Sequence, residues 1–164
     1  MVQSRKRTEL YETTREKTMT IKIAPIQESD FEQLNALFQE FAIFEKLPEA
    51  MSNTVEQMKR EKEYINGFAA KDEKDEIIGY VIYFYAYFTW SGKCLYMDDL
   101  YVCEKYRGKG IGTMLINKVI SYAKEQDCYK LRWQVSNWNT PALNFYKSLG
   151  ASIDEVNMNC DLKL

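Results

Sequence analysis

Residues 95–112 read Leu-Tyr-Met-Asp-Asp-Leu-Tyr-Val-Cys-Glu-Lys-Tyr-Arg-Gly-Lys-Gly-Ile-Gly, and this stretch decides the fold. Up to Val102 it is apolar and aromatic except at Asp98 and Asp99, as a strand inside a sheet would be. The run Arg107-Gly108-Lys109-Gly110-Ile111-Gly112 cannot extend that strand, because alternating glycines supply backbone freedom in place of side chains to pack. Beyond it, Ile111, Leu115, Val119 and Tyr122 recur at helical spacing to about Gln126. A strand that turns through glycines directly into a helix presents successive N–H groups beside the positive end of the helix dipole, a ready anion site. Arg107 and Lys109 add positive charge, enough for a pyrophosphate without a dedicated metal. The loop matches neither the P-loop pattern nor the dinucleotide G-x-G-x-x-G. Taken alone, it is also consistent with a glycine turn that merely starts a helix.

Working upstream, residues 93–102 follow a turn at Ser91-Gly92, and 77–89 form a strand apolar on both faces. Such a strand belongs inside a sheet covered on both sides. A charged turn at 72–75 joins it to a strand at 67–71. Ser29 with Glu32 predicts a capped helix carrying Leu34, Leu37, Phe38, Phe41 and Phe44, which Pro48 ends. Asn53 with Glu56 predicts a second helix to about Tyr64, and 20–24 a short strand ended by Pro25. Downstream, 129–135 reads as a strand. Thr140-Pro141 opens a helix that runs to Leu149, Gly150 stops it, and the tail from Ser152 reads as a last strand. The expectation is one mixed α/β domain over 19–164, preceded by a polar arm at 1–18.

Composition narrows the chemistry. With 164 residues, 46% of them hydrophobic, the chain suffices for one domain with a sizeable core. Residues 1–18 carry five basic and three acidic side chains, which leaves −4 on the remainder of a chain of net charge −2. A mildly acidic body argues against nucleic acid as a partner. The longest apolar stretch, 77–88, is too short and too rich in tyrosine to span a bilayer, and no apolar segment follows the basic N-terminus as a secretory signal requires. There is no histidine, which removes Ser-His and Cys-His nucleophile pairs and the commonest transition-metal ligand. Cys94, Cys103, Cys128 and Cys160 lie far apart, so no metal site is expected, and the thiols read as reduced in a cytoplasmic protein. What remains for catalysis is carboxylates, tyrosines, backbone and a bound co-substrate.

The glycine loop resembles the signature of the GNAT acetyltransferase superfamily, Arg/Gln-x-x-Gly-x-Gly/Ala at a strand-to-helix turn. The likeness continues through Asn139-Thr140-Pro141-Ala142-Leu143-Asn144-Phe145-Tyr146-Lys147-Ser148-Leu149-Gly150-Ala151, in the order that family has it. Within the superfamily the chain is similar to the diamine (spermidine/spermine and thialysine) N-acetyltransferases at Phe44-Glu45-Lys46-Leu47, Trp90-Ser91-Gly92-Lys93, 95–99 and Trp138-Asn139. The resemblance implies a central mixed sheet of seven strands, splayed near its middle and flanked by helices. It also implies acetyl-CoA in the opening, a small cationic amine as acceptor, and a homodimer.

It implies site residues too. Leu100, Tyr101 and Val102 would hold pantetheine through backbone. Arg107, Gly108, Lys109, Gly110, Ile111, Gly112 and Thr113 would wrap the pyrophosphate, and Asn139, Pro141 and Ala142 would line the CoA further along. Tyr146 matches the general acid beside the CoA sulfur, although Ala142, Phe145, Tyr146 and Leu149 also have the spacing of an ordinary buried face. Asp98 stands where the group commonly has a glutamate credited with deprotonating the amine, one methylene shorter here. Strand alternation places Asp99 on the opposite face, as a cation-binding or structural residue. Glu45 reads as a substrate-channel carboxylate or an exposed end-of-helix charge, and Trp90 with Phe44 as channel wall or core. The alternatives are a GNAT enzyme for another amine (amino acid, aminoglycoside or protein lysine) or a non-catalytic acyl-CoA-binding protein.

Overall fold

A computed structural model describes residues 19–156, so the expected arm at 1–18 and the end of the tail lie outside the described residues. In chain order these form β1 (Lys22–Pro25), α1 (Phe31–Phe44), α2 (Val55–Arg60), β2 (Asn66–Lys71), β3 (Ile77–Phe88), β4 (Gly92–Val102), α3 (Ile111–Glu125), β5 (Leu131–Arg132) and α4 (Thr140–Ser148). The sheet runs β1-β2-β3-β4-β5. Its first four strands pair antiparallel, and β5 lies parallel to β4 because α3 carries the chain back across the sheet.

The two faces are covered by different helices. On one, α3 packs Ile111, Leu115, Ile116 and Val119 onto Phe68, Val81, Leu95 and Met97. On the other, α1 packs Phe31, Leu34 and Leu37 onto Ala69, Tyr80 and Tyr101. This accounts for the two-sided apolar pattern of β3, which is buried from Ile77 to Val81. The pattern misleads further along. Pairing with β2 ends at Tyr83, so beyond it β3 is paired on the β4 side alone and Tyr85, Tyr87 and Trp90 are exposed.

Several expectations are corrected. The sheet has five strands among the described residues, not seven, and the tail from Ser152 to Val156 contributes none. The strand expected at 129–135 keeps only two residues, since β4 and β5 separate after Tyr96 and Arg132. The approach to α1 is fixed by Asp30 rather than by Ser29 and Glu32. Asp30 is buried, accepts from the Gln27 N–H at 2.9 Å and binds Lys71 Nζ at 2.6 Å. Thr54 rather than Asn53 caps α2, accepting from the Gln57 N–H at 3.2 Å. Asn139 rather than Thr140 caps α4, accepting from the Ala142 N–H at 3.2 Å. Gly150, at φ 82°, ends α4 as expected.

Candidate active site

Strand β5 pairs with β4 only at Leu95↔Leu131 and Tyr96↔Arg132. From Met97 to Val102, β4 has a strand neighbour on the β3 side alone, so one edge of its backbone opens onto a cleft. The cleft holds about 850 Å³. Its walls are β4 from Met97 to Val102, the glycine loop with the start of α3, residues 134–136, the near face of α4, and Phe41, Phe44 and Glu45.

One end of the cleft is built from backbone. Gly108 and Gly110 have φ of 73° and 80°, left-handed values that a side chain disfavours. Gly110 is the N-cap of α3 and has no side-chain cap. The first helical bond runs from the Met114 N–H to the Gly110 carbonyl, leaving the N–H groups of Ile111, Gly112 and Thr113 outside the α3 ladder. No acidic residue occupies that first turn, so the positive end of the dipole is not neutralised within it. Arg107 braces the loop: its Nε donates to the Val102 carbonyl at 2.9 Å, and its guanidinium lies 4.5 Å from the Phe44 ring centre.

The other end is built from side chains, and here a bulge changes the reading of β4. Tyr83 pairs with Met97 and Ile82 with Asp99, leaving Asp98 without an opposite residue. The alternation slips by one at that point. Leu95 and Met97 before the bulge pack on the α3 side, and so do Leu100 and Val102 after it. Asp98 and Asp99 are therefore not separated to opposite faces, and both line the cleft. Glu45, at the end of α1, lines it as well, its Oε2 accepting from Ser136 Oγ at 2.6 Å.

Burial raises the proton affinity of both aspartates. Burial, then the charges of Asp98 and Glu45, push Asp99 up to about 7, while the Tyr80 hydroxyl works the other way. Asp98 is raised by burial. Tyr146 is 7% exposed, with its ring 5.0 Å from that of Trp133. Burial, then Asp99, push its phenol up to about 12, so it keeps its proton at neutral pH.

The structure gathers nearly all the expected residues on one cleft: Phe44, Glu45, Asp98, Asp99, Leu100, Tyr101, Val102, Arg107, Gly108, Gly110, Ile111, Gly112, Thr113, Asn139, Pro141, Ala142 and Tyr146. It does not bring in Lys109, whose ammonium lies over the Tyr106 ring, or Trp90, fully exposed on the β3–β4 hairpin. Ser136, Gln134 and Phe41 line the cleft without having been singled out from sequence. For Phe41 the helical stripe was a signal. Ser136 reaches the site only because the chain diverges after β5, which no local pattern marks.

An open-edged strand feeding a glycine-capped helix, with a buried tyrosine opposite, defines an acyltransferase-type cleft, and the comparisons agree. The chain belongs to the acetyltransferase (GNAT) family, whose model matches residues 31–151. It is therefore an acetyltransferase. It is 33% identical over 141 residues to a thialysine N-epsilon-acetyltransferase of Mus musculus, covering 79% of this chain and 83% of that one. A thialysine N-epsilon-acetyltransferase of Caenorhabditis elegans is 32% identical over 139 residues, 84% of each chain. An aminoglycoside N-acetyltransferase in complex with CoA superposes with a TM-score of 0.73 over 92% of this chain and 99% of that one. At 14% identity, that likeness concerns the fold alone. Among the described residues no helix is long and apolar enough to cross a membrane, and no group of side chains is arranged to hold a metal.

Proposed function

We propose that the protein transfers the acetyl group of acetyl-CoA to a primary amine of a small cationic acceptor, a diamine, polyamine or thialysine-like amine, by direct attack in a ternary complex. The observation that carries this reading is the convergence of Glu45, Asp98 and Asp99 at one end of a cleft whose other end is lined by free backbone N–H groups. The residues present fit acetyl-CoA. The N–H groups of Ile111, Gly112 and Thr113 would face the pyrophosphate, and the open edge of Leu100 to Val102 would meet the amides of pantetheine.

When bound, acetyl-CoA supplies a thioester carbonyl whose carbon forms the new C–N bond as the C–S bond breaks. The protein has to do the rest. An alkyl ammonium with a pKa of about 10.4 carries its proton near neutral pH. The acidic wall must therefore hold a cation and then take that proton, after which the nitrogen lone pair is free to attack. Tyr146 holds a proton at its hydroxyl for the departing sulfur. Its burial makes an unprotonated thiolate costly beside it. Fixing both partners in one cleft is worth ~7–11 kcal/mol where alignment is good.

The acceptor is tested by thiol release from acetyl-CoA across spermidine, spermine, thialysine, lysine, an aminoglycoside and a lysine peptide. Selective turnover of small diamines is expected. Turnover of the aminoglycoside or peptide alone would move the acceptor class, and CoA binding without any turnover would leave a binding protein. We also propose a cytoplasmic homodimer. The free thiols of Cys94, Cys103 and Cys128 suit a reducing compartment, and the hairpin exposes Tyr87 and Trp90 as uncovered surface. Light scattering on the purified chain tests the dimer.

A further inference from the structure

Tyr80 lies on β3, diagonally across from Asp99, and is fully buried. Its ring is wedged against Phe38 at 5.0 Å and Tyr101 at 6.0 Å, so it has little room to turn. Its hydroxyl has no hydrogen bond of standard geometry among the described residues. A buried, unsatisfied hydroxyl is costly and requires a reason. The acidic groups acting on it are Asp99 first, then Tyr101 and Asp98. On the sheet Tyr80 and Asp99 are diagonal neighbours, Tyr80 pairing with Tyr101 and Asp99 with Ile82, and the bulge at Asp98 leaves both carboxylates lining the cleft. Asp98 is exposed to the cleft, and Asp99 sits deeper, between Tyr80 and the opening.

We infer that Asp99, positioned from behind by the Tyr80 hydroxyl, is the group that takes the proton from the acceptor amine, while Asp98 and Glu45 hold the acceptor's positive charge. In this step the ammonium N–H bond breaks, an O–H bond forms on Asp99, and the electron pair stays on nitrogen for attack. Tyr80 is a positioning residue: it never meets the substrate, and it donates to the carboxylate when Asp99 is ionised. This division rests on the amine acetylation proposed above and passes to Asp99 the proton transfer that the family resemblance gives to Asp98.

The ionisable groups facing Asp99 are Asp98 on its own strand, Tyr80 on β3, Glu45 at the end of α1 and Tyr146 on α4, and none of them is a cation. Two substitutions must therefore act with opposite sign. Tyr80→Phe removes a donor that favours the ionised carboxylate, and Asp98→Asn removes a like charge that disfavours it.

The test is the pH profile of kcat/KM with the best amine, beside a carboxyl-carbon NMR titration of Asp99 that needs no acceptor. The expected wild-type profile rises through about 7. Tyr80→Phe moves this limb and the Asp99 titration to higher pH, and Asp98→Asn moves both to lower pH. Asp99→Asn abolishes the limb and lowers kcat by on the order of 100-fold. Survival of the limb in Asp99→Asn, its loss in Asp98→Asn, or both substitutions shifting it the same way would overturn the assignment. An Asp99 that titrates in the ordinary carboxylate range would overturn it as well. If the titration moves as expected while no amine is acetylated, the pairing stands and the proposed acceptor fails. Tyr80→Phe keeps the ring and its packing against Phe38 and Tyr101, so the fold survives it.

Discussion

The two ends of the cleft are made of different materials. At the cofactor end, recognition belongs to the backbone: left-handed glycines, unpaired N–H groups and an open strand edge. At the acceptor end it belongs to the side chains of Glu45, Asp98, Asp99 and Tyr146, among which the proton affinities of Asp99 and Tyr146 are set by burial and by charged neighbours. A backbone site is specified by conformation and tolerates few residues. A side-chain site is specified by its neighbours and can be retuned without touching the fold. The first suits a constant ligand and the second a variable one.

That contrast can be broken or sharpened by experiment. The largest effect is expected from Tyr146→Phe, which should lower kcat by on the order of 10²-fold or more with CoA affinity retained, measured by single-turnover kinetics and calorimetry. Unchanged turnover with an intact fold would remove Tyr146 as the acid. Gly110→Val should weaken CoA binding roughly tenfold through strain of about 1–2 kcal/mol. A side chain there meets nothing within 4 Å, so the cost is conformational and the amine KM should stay put. Glu45→Gln should raise the KM of a diamine several-fold, by roughly 1 kcal/mol, and leave CoA binding unaltered. An equal rise for a monoamine would show that Glu45 does not read the second charge.

The last effect concerns stability rather than turnover. Because the folded-state proton affinity of Asp99 is raised to about 7, the folded chain binds more protons than the unfolded one between about pH 4 and pH 7. Stability from this group is present at low pH and is lost as pH rises through 7. Asp99→Asn should therefore melt a few degrees above wild type at pH 8, by ~1–3 kcal/mol, with the difference vanishing near pH 4. Thermal melts at the two pH values check the sign.

Legibility from sequence followed the same division. Gly108 and Gly110 announce a backbone site because few other residues adopt their conformation, and the loop lies where the motif requires. Alternation predicts opposite faces for Asp98 and Asp99 and fails there, because a bulge carries no composition signal of its own and counting residues does not see a slipped pair. Trp90 and Lys109 belong to motif stretches, yet motif membership does not fix direction. One projects on a hairpin past the last paired residue of β2, and the other turns onto Tyr106. Ser136 went unnoticed because its importance comes from the parting of two strands. The true helix caps lie within two residues of the expected ones, displaced where Asp30 instead serves Lys71.

The parting of β4 from β5 also has a mechanical consequence. The segment after α3 is tied to the rest of the molecule by two paired positions, by the bonds of the Tyr129 N–H to the Lys93 carbonyl and of Ser136 Oγ to Glu45, and by side-chain packing, notably Trp133 and Tyr146 against the α3-side core. It should behave as a separate cooperative unit, exchanging its amide hydrogens with solvent sooner than β2 and β3 do. A ligand that bonds to β4 on one side and touches α4 on the other would act as a removable rung between the two units. Saturation with it should slow exchange on both sides of the gap together, even at amides the ligand does not contact.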